Sequence, residues 1–586
     1  MKEAAALTCT PATTADGGAN NVLAAGGVRL SFWQDGERAE FGGADFWRLV
    51  TGYIDLIESL PQLDNFALIV SRTNPDMMAL FLALMASRRL VSFFPPNSPI
   101  QDEASYFEQQ RVALSRIAPS SIVIFDRTYA DTIASIDPGL ADKVVMLPRL
   151  SLETPKPAAQ DWKRGLALFD ESLMHDPTRV LFVQHSSGTT GIKKAVAIEA
   201  SALRAQFASY WPVVRSMAGG DVGVASWLPL YHDMGLLAGF LLPVMGGAHI
   251  SIVDPFEWIA RPVSLFDMIE HDECNVCWLP NFAFRHLSRL RKAMPERRLA
   301  SVRAWIDCSE PCRYRDAKEF ELAFAQQGVA ASSVVGCYAM AETVFAVTQS
   351  EPQEQRALRV RRDVILGDDL LALGTEVISG AAPAGDSDHA LVLSSGRVLP
   401  GIDVRIYVDG NAATRESIYG EIGVRGKFVF RGYRRLTAQE SNIGGDGYYR
   451  TGDLGALIDG HLYVFGRVKE TIIVNGKNIF AGDIEDIVNG VSGVKKGRVV
   501  ALGIESDQTG SENLVIVVER DGSTAASDGD LRAAITRLIA DALLVHPYDV
   551  RIVEAPWIVK STSGKISRRE NRLRYLQAFG RKTTNP

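Results

Sequence analysis

A loop rich in glycine, hydroxyl and lysine side chains follows the apolar, strand-like run RVLFVQH at residues 179–185. The loop reads SSGTTGIKK, from Ser186 to Lys194, and holds two glycines, four hydroxyls and two lysines. Its N–H and O–H groups can wrap phosphate oxygens while lysine offsets their charge. Because the stretch after it has helical composition, we expect a strand, a loop and a helix in that order, which favours anion binding. Taken alone, the loop is also compatible with an ordinary Ser/Gly-rich surface turn.

Four further short motifs follow this loop in order along the chain. They are YAMAET (338–343), YRTGDL (449–454), GRVKE (466–470) and STSGK (561–565). Each is weak alone, but five motifs in a fixed order at plausible spacings argue against coincidence. Together they resemble the core motifs of the adenylate-forming superfamily, which includes acyl- and aryl-CoA ligases, luciferases and the adenylation domains of peptide synthetases. The resemblance runs from about residue 30 to the last twenty residues.

Within that superfamily the chain most resembles the fatty acyl-AMP ligases. The stretches that carry this resemblance are WLPLYHDMGL (227–236), LPNFAF (279–284), SEPCR (309–313), LSSGRVLPGIDVRI (393–406) and VNGKNIFAGDIE (474–485). The resemblance implies ATP-dependent activation of a medium- or long-chain fatty acid to acyl-AMP. It also implies transfer of the acyl group to the phosphopantetheine thiol of an acyl carrier protein, with ATP and Mg²⁺ as cofactors.

The chain departs from the family pattern at two places. The usual Pro-Lys-Gly after the phosphate loop is Lys193-Lys194-Ala195, and the usual Tyr-Gly pair is Tyr338-Ala339. Loss of proline and glycine changes loop stiffness and backbone freedom, which bears on rate and nucleotide affinity. The lysine of the first motif is retained as Lys194.

The reaction that the resemblance implies joins two anions, a carboxylate and the α-phosphate of ATP. Catalysis therefore needs cations and preorganised donors more than it needs a base. By resemblance, the catalytic residues are Lys565, Glu342 and Lys194, with Lys565 bridging the carboxylate and the α-phosphate. A flexible stem with a compact charge suits that task, although most lysines are solvated surface residues.

The resemblance also assigns residues to the metal and the nucleotide. Glu342, with the Thr189 hydroxyl, would ligate Mg²⁺, which prefers hard oxygen ligands. Asp453 would accept from the ribose hydroxyls, Arg467 would reach the ribose or phosphate, and Tyr338 would stack on adenine. The alternatives are a turn aspartate, a surface ion pair and a core tyrosine. The full nucleotide set comprises Ser186, Ser187, Gly188, Thr189, Thr190, Gly191, Ser309, Glu310, Tyr338, Ala339, Met340, Thr343, Asp453 and Arg467.

The acyl pocket is expected to include five residues from a mostly apolar sequence context, namely His232, Asp233, Met234, Asn281 and Phe282. A core histidine satisfied by hydrogen bonds is nearly as compatible with His232 as a pocket wall. A carboxylate near Asp233 grips the substrate amino group in amino-acid-activating relatives. Because the context YHDMG resembles fatty acyl-AMP ligases, we expect a structural role for Asp233.

Apolar strand-like runs alternate with helical patterns over most of the chain, as in FALIV (66–70), MMALFLALMASRR (77–89) and SIVIF (121–125). This alternation predicts an α/β fold with parallel sheets. After about residue 466 the elements become shorter, with strand-like runs at 497–504 and 513–519 and an amphipathic run at 531–543. The latter predict a small α+β domain.

We therefore expect two domains. A large N-terminal domain at 1–466 would comprise stacked α/β subdomains and a β-barrel-like subdomain, and a small, mobile C-terminal lid domain would span 467–586. The turn-rich segment 351–388 suggests an insertion rather than a central strand. By resemblance, the small domain rotates about a hinge at Lys469 so that a thiol can reach the acyl-AMP.

Charge and cysteine content exclude several classes of function. Sixty-two Lys and Arg against sixty-nine Asp and Glu give a net charge of −7, so no basic field favours nucleic acid. Six cysteines are too few for a disulfide scaffold, which fits a reducing cytosol. Residues 1–30 lack the apolar core of a signal peptide, so we expect a cytoplasmic protein. We also expect a monomer or a weak dimer.

Two local patterns invite other interpretations. The apolar stretch 236–253 is interrupted by Pro243, Gly246, Gly247 and His249, so it predicts buried elements rather than a membrane span. Cys274 and Cys277 form a CxxC pair without a second ligand pair, and two buried thiols are the better prediction than a zinc site.

Three other functions remain open. An acyl-CoA ligase would use CoA as the acceptor, and an amino-acid adenylation enzyme would activate an amino acid. A non-catalytic acyl-adenylate-binding protein is the third, which the retention of Lys194, Glu342, Asp453 and Lys565 opposes.

Overall fold

The computed structural model describes residues 24–579 apart from 64, 97–109, 112–113, 116, 153–160, 187–193, 362–363, 365, 380–388, 435, 437–439, 475–476, 506–511, 523–526, 544 and 561–564. The strands before residue 350 are β1 Arg29–Gln34, β2 Glu37–Phe41, β3 Phe66–Val70, β4 Leu90–Phe94, β5 Ser121–Ile124, β6 Val144–Met146, β7 Val180–Ser186, β8 Lys194–Glu199, β9 Gly223–Ser226, β10 His249–Val253, β11 Val276–Pro280, β12 Ala304–Cys308, β13 Val334–Ala339 and β14 Ala346–Gln349. The later strands are β15 Arg356–Arg361, β16 Glu376–Ser379, β17 His389–Val398, β18 Ile402–Val408, β19 Asn411–Ala412, β20 Gly420–Gly426, β21 Tyr449–Ile458, β22 His461–Arg467, β23 Thr471–Val474, β24 Lys477–Phe480, β25 Val494–Glu505, β26 Glu512–Arg520 and β27 Asp549–Val553.

Helices alternate with these strands. The α-helices are α1 Gly43–Glu58, α2 Pro75–Ala86, α3 Arg127–Ile136, α4 Trp162–Met174, α5 Ala200–Ala218, α6 Leu242–Met245, α7 Pro255–Ala260, α8 Ser264–Asp272, α9 Asn281–Leu290, α10 Tyr314–Phe324, α11 Ala481–Asn489, α12 Asp528–Leu543 and α13 Arg568–Phe579. A π-helix spans Met234–Leu241, and 3₁₀ turns span Ala25–Gly27, Pro61–Leu63, Pro138–Lys143, Leu150–Leu152, Arg291–Ala293, Ala325–Gln327, Ala341–Thr343 and Val468–Glu470.

Two largely parallel sheets organise the first 340 residues. One has the order β6-β5-β3-β4-β7-β8 and is parallel except for the last pair. The other runs β2-β1-β10-β9-β11-β12-β13 and is parallel except for β1 and β2. Strands buried on both faces are near-continuous apolar runs, as in β3 and β11. The α/β prediction is confirmed.

The second sheet continues as antiparallel strands in the order β14-β17-β22-β21-β20-β18-β19. These strands form the third part of the large domain. The predicted insertion contributes β15 and β16, which pair with each other and, through β15, with β17, away from the main path of the sheet.

Helix α2 illustrates how local sequence fixes these elements. Asn74 caps it by accepting from the N–H of Met77 at 2.9 Å, and Pro75 occupies the first helical position. All twelve residues of the helix are buried. A helix that is apolar on nearly every face belongs in the core, here packed against α1, α4 and the strand β4. Its one charged residue, Asp76, accepts from the Tyr53 hydroxyl at 2.8 Å.

The element after the phosphate loop corrects one prediction. Instead of a helix, β8 follows the loop and pairs antiparallel with β7, with Ser186 opposite Lys194. The alternation KAVAIE buries Val196 and Ile198, which is the period of a strand, and the helix α5 begins only at Ala200. The loop therefore joins two strands, and no helix N-terminus directly follows it.

The residues after 470 form a smaller unit with its own core. The strands β25-β26-β27 make a three-stranded sheet against α11, α12 and α13, and β23 and β24 pair beside it. The main core ends at Leu462, whereas separate apolar clusters span 472–550 and 500–575. This separation supports our proposed boundary between residues 466 and 467.

The apolar stretch before β10 forms the π-helix and α6, both buried. Over the described part of the chain, the structure has no helix of the length and apolar character needed to cross a membrane. Cys274 and Cys277 are free thiols with no exposed surface, as expected for core residues.

Candidate active site

Three parallel strands place the site at one edge of the second sheet. The neighbouring strands β11, β12 and β13 end just before Asn281, before Ser309 and at Ala339, respectively. The carboxyl ends of parallel strands form the usual ligand-binding edge of an α/β sheet. Three of the predicted stretches therefore meet at this edge.

Tyr338, Asp453 and Arg467 form a connected group that we call the nucleotide wall. The Tyr338 hydroxyl donates to Asp453 Oδ2 at 2.6 Å, and Arg467 Nε donates to Asp453 Oδ1 at 2.8 Å. Asp453 and Arg467 are paired residues of β21 and β22. Burial, followed by the Asp453 charge, raises the pKa of Tyr338, which therefore stays a neutral donor.

Glu342 lies beside the wall in a second buried group. Its Oε1 accepts from the Tyr433 hydroxyl at 2.6 Å, and that hydroxyl is 3.0 Å from the Tyr449 hydroxyl. Burial raises the pKa of Glu342, while the Tyr433 hydrogen bond opposes the rise. Lys194 Nζ lies 4.3 Å from the centroid of the Tyr433 ring, a cation–π distance. The site thus brings Lys194 and Glu342 together through Tyr433.

Burial lowers the pKa of Lys194, the Glu342 charge opposes this, and the positive charge of Lys469 lowers it further. Lys469 lies in the 3₁₀ turn Val468–Glu470, directly after β22. The predicted hinge lysine is thus close enough to Lys194 for their charges to interact.

Lys565 reaches this edge from the small C-terminal unit. Its Nζ donates to the backbone oxygen of Ser309 at 2.8 Å. Ser309 has a φ of 70°, a left-handed conformation uncommon for a residue with a side chain. Sequence position gives no hint of this meeting, since the two residues are 256 positions apart.

Asp233 caps the π-helix rather than facing outward. Its Oδ1 accepts from the N–H of Met234 at 2.8 Å. Burial raises its pKa, and the charges of Lys565 and Arg467 oppose the rise. Met234 Sδ lies 3.8 Å from the Ser309 Oγ, and the His232 ring packs on Tyr231 with centroids 5.1 Å apart. Met234 therefore lies beside Ser309, and His232 and Asp233 directly precede it in the chain.

The neighbouring residues Asn281 and Phe282 have side chains in different environments. Asn281 is buried, donates to Asp316 at 2.7 Å and accepts from the Arg313 N–H at 3.2 Å. Phe282 is 40% exposed, and its ring meets Trp227 edge-on, with centroids 6.2 Å apart. Its N–H donates to Glu310 at 3.0 Å. Asn281 therefore braces the chain, while Phe282 retains a free surface.

The remaining predicted residues are placed as follows. Thr343 is fully buried and donates to the backbone oxygens of Met340 and Phe345 at 3.0 and 2.7 Å. A β-bulge falls between Tyr338 and Ala339 and re-aims the chain at the end of β13. Ser187, Gly188, Thr189, Thr190 and Gly191 lie outside the described residues, and Ser186 is described only as the last residue of β7.

The donor set at Glu342 suits a magnesium ion that arrives with phosphates. Among the residues that the structure describes, no three His, Cys, Asp or Glu side chains are grouped to hold a metal. Mg²⁺ at nucleotide sites is usually held by one or two carboxylates together with phosphate oxygens and water. Burial disfavours the charged form of the Glu342 carboxylate, and attraction to a bound cation would offset that cost.

Sequence reasoning missed two tyrosines of the site. Tyr449 opens the motif YRTGDL, so its position in a recognised motif was an available signal. Tyr433 belongs to none of the motifs, and it reaches Glu342 only because the chain folds back after β20.

Sheets of this order, with a smaller α+β unit over their carboxyl edge, define the fold of adenylate-forming enzymes. The chain belongs to the AMP-binding enzyme family, whose model matches residues 62–434. It is therefore an enzyme of that family.

The most informative relatives span nearly the whole chain. A Mycolicibacterium smegmatis protein named long-chain-fatty-acid–AMP ligase FadD32 is 27% identical, covering 88% of this chain and 85% of the relative. A Caulobacter vibrioides protein named putative acyl-CoA synthetase is 26% identical, covering 88% and 86%. A solved structure from a study of fatty acyl-adenylate ligases of E. coli and L. pneumophila has a TM-score of 0.78 at 22% identity, covering 95% and 96%. That structural likeness confirms the fold.

Proposed function

We propose that the chain is a fatty acyl-AMP ligase that activates a medium- or long-chain fatty acid with ATP and passes the acyl group to the thiol of an acyl carrier protein. The observation that carries the proposal is the hydrogen bond of 2.8 Å from Lys565 to the Ser309 carbonyl, at the edge where the nucleotide wall lies. The name of the M. smegmatis relative supports the acid substrate class.

In the first half-reaction, a carboxylate oxygen of the acid bonds the α-phosphorus of ATP. The bond from that phosphorus to the bridging oxygen breaks, and pyrophosphate leaves. Lys565 and Lys194 supply positive charge where the two anions approach, and Arg467 and Asp453 hold the ribose and phosphate. Mg²⁺, held by Glu342 and Thr189, would neutralise phosphate charge.

In the second half-reaction, the thiol sulfur bonds the acyl carbon, the bond from that carbon to the AMP oxygen breaks, and AMP leaves. The thiol proton passes to solvent. The acceptor is the least constrained part of the proposal, because the C. vibrioides relative is named an acyl-CoA synthetase. CoA is therefore the second candidate acceptor.

The geometry of Asp233 favours fatty acids over amino acids. One carboxylate oxygen accepts from the Met234 N–H at the start of the π-helix and is therefore engaged by the backbone. A residue that grips a substrate ammonium needs a charged carboxylate with a free approach. This supports a structural role for Asp233.

The decisive experiment incubates the purified enzyme with ATP, Mg²⁺ and a ladder of fatty acids, and follows products by mass spectrometry. We expect acyl-AMP and pyrophosphate with medium- or long-chain acids, and acyl-carrier product when a holo-carrier protein is added. Acyl-CoA in preference to acyl-carrier would replace the proposed acceptor. The proposal would be refuted if only amino acids supported ATP–pyrophosphate exchange. It would also be refuted if no carboxylic acid supported the exchange.

A further inference from the structure

Two arginines of the large domain meet two aspartates of the small one beside the active site. Arg313 forms an ion pair through Nη1 with Asp486 Oδ2, and its Nη2 lies 3.6 Å from Asp483 Oδ1. Arg285 Nη1 donates to the other oxygen of Asp486 at 3.0 Å. Each oxygen of Asp486 therefore faces its own guanidinium. We call these four residues the Arg–Asp clamp.

The arginine half of the clamp is built into the large domain. Arg285 grips Asp316 with both arms of its fork, Nε to Oδ1 at 3.2 Å and Nη2 to Oδ2 at 2.7 Å. Asn281 donates to the same Asp316 and accepts from the N–H of Arg313. Bidentate pairing orients a guanidinium as well as binding it. Arg285 is thus held in orientation by contacts within the large domain.

The aspartate half of the clamp is carried by a rigid element of the small domain. Asp483 and Asp486 lie three positions apart on α11, so both project from one helical face. That helix packs on β25 and α12 through Ile484 and Val488, which have no exposed surface. The two aspartates are therefore fixed relative to the rest of the small domain.

The clamp adjoins the point where Lys565 docks. Arg313 is four residues after Ser309, whose carbonyl accepts from Lys565. Asn281 directly precedes Phe282, whose N–H donates to Glu310. Two separate contacts, one at α11 and one at Lys565, fix the orientation of a body better than either alone. The clamp side chains keep between 22% and 28% exposure, so water can compete when the pairs part.

We propose that Arg285, Arg313, Asp483 and Asp486 are positioning residues that hold the small domain in the orientation in which Lys565 enters the site, and that the clamp opens before acyl transfer. The inference rests on the proposed function and on the rotation of the small domain about Lys469, which the resemblance implies for the second half-reaction. Ion pairs suit such a contact, because they set orientation and release without leaving an apolar surface in water.

The first test separates the two half-reactions in an Asp486→Ala variant. We expect ATP–pyrophosphate exchange to fall about tenfold in kcat, with the KM for ATP changed less than twofold, because the nucleotide wall is intact. Transfer from supplied acyl-AMP to the thiol should be at least as fast as in the unmodified enzyme. Arg315→Ala is the matched control, since Arg315 lies on the neighbouring α10 and is 83% exposed. It should leave both rates unchanged.

A second test asks whether pairing itself matters. In a double-mutant cycle, the variant Arg313→Ala with Asp486→Ala should lose little more exchange than Asp486→Ala alone, a non-additivity that separate structural roles for the two residues would not give. Fluorescence energy transfer between labels on the two domains, measured without substrate, should show a wider distance distribution in Asp486→Ala.

The outcomes distinguish this inference from the proposed function. If the unmodified enzyme shows no exchange with any acid, the proposed function fails, while the interdomain distance still tests the clamp. If the unmodified enzyme exchanges and Asp486→Ala matches it in exchange and in interdomain distance, the clamp is refuted.

Discussion

The charged residues of the nucleotide wall and Lys565 are positioned by different kinds of contact. In the wall, Tyr338, Asp453 and Arg467 lie on strands of one sheet and form hydrogen bonds with one another at 2.6 and 2.8 Å. Lys565 instead comes from a separate unit and donates to a backbone carbonyl. The wall is therefore fixed by contacts within one sheet, whereas the position of Lys565 depends on the contacts of a second unit.

The largest expected effect comes from removing that cation. Lys565→Ala should slow ATP–pyrophosphate exchange by about 10²–10³-fold, because charge that stabilises the transition state is lost. Nucleotide affinity, measured by calorimetry, should change less than threefold, because the wall remains. Lys495→Ala is the control, since Lys495 is an exposed lysine of the same unit. Exchange at full rate in Lys565→Ala would contradict the proposed chemistry.

The next effect tests the wall. Asp453→Asn keeps the size of the side chain but removes the charge that faces Arg467, so ATP affinity should fall about tenfold to a hundredfold, or about 1.4–2.8 kcal/mol. Isothermal calorimetry with ATP measures it.

A matched aspartate serves as its control. Asp446, in the turn before β21, also accepts from a tyrosine, Tyr407 at 2.7 Å, and pairs with an arginine, Arg450 at 3.1 Å. Asp446→Asn should leave ATP affinity unchanged. Equal losses in the two variants would mean that the wall acts only through stability of the sheet.

Local sequence patterns predicted many of the strands and helices. The strands at 66–70 and 121–124 and the helices Pro75–Ala86 and Asp528–Leu543 follow from runs and periods that a short window contains. The prediction of a helix directly after the phosphate loop was wrong. The composition of that stretch favours a helix, but Val196 and Ile198 alternate with less buried residues in a strand that pairs with β7. Burial decided between two weak local preferences.

Contacts between distant segments were beyond prediction from one sequence. Motifs named Glu342 and Asn281 but not their partners, because the Tyr433 hydroxyl is 91 positions from Glu342 and Asp316 is 35 positions from Asn281. The motif that suggested a pocket role for Asn281 carries no information about which way its amide points. That assignment stays a prediction, and so do the roles of the loop residues 187–191.

A smaller effect should follow from Tyr433→Phe. The Tyr433 hydroxyl donates to Glu342 and lowers the pKa of that carboxyl, which burial raises. Without the donor, the pKa of Glu342 rises further. The acid limb of the exchange rate should therefore move to higher pH, and half-saturation with Mg²⁺ should need about three to ten times more metal.

The pH profile and a Mg²⁺ titration check this variant against Tyr407→Phe, which removes the equivalent donor to Asp446. Tyr407→Phe should leave both curves in place. Unmoved curves in Tyr433→Phe would mean that Glu342 does not meet the metal.

The smallest effect concerns the stability of the sheet that carries the wall. His461, on the same strand as Arg467, is buried with its Nδ1 3.1 Å from Ser394 Oγ, and burial lowers its pKa to about 4. The unfolded chain, with a histidine pKa of about 6.5, binds the proton first as pH falls. Stability is therefore full above pH 6.5 and is lost progressively between pH 6.5 and 4, by about 0.8 kcal/mol at pH 6. Thermal unfolding at pH 7.5 and 6 should show this loss in the unmodified enzyme and a smaller one in His461→Gln, with exchange at pH 7.5 changed less than twofold. An equal loss in both proteins would assign the acid sensitivity to a titratable group other than His461.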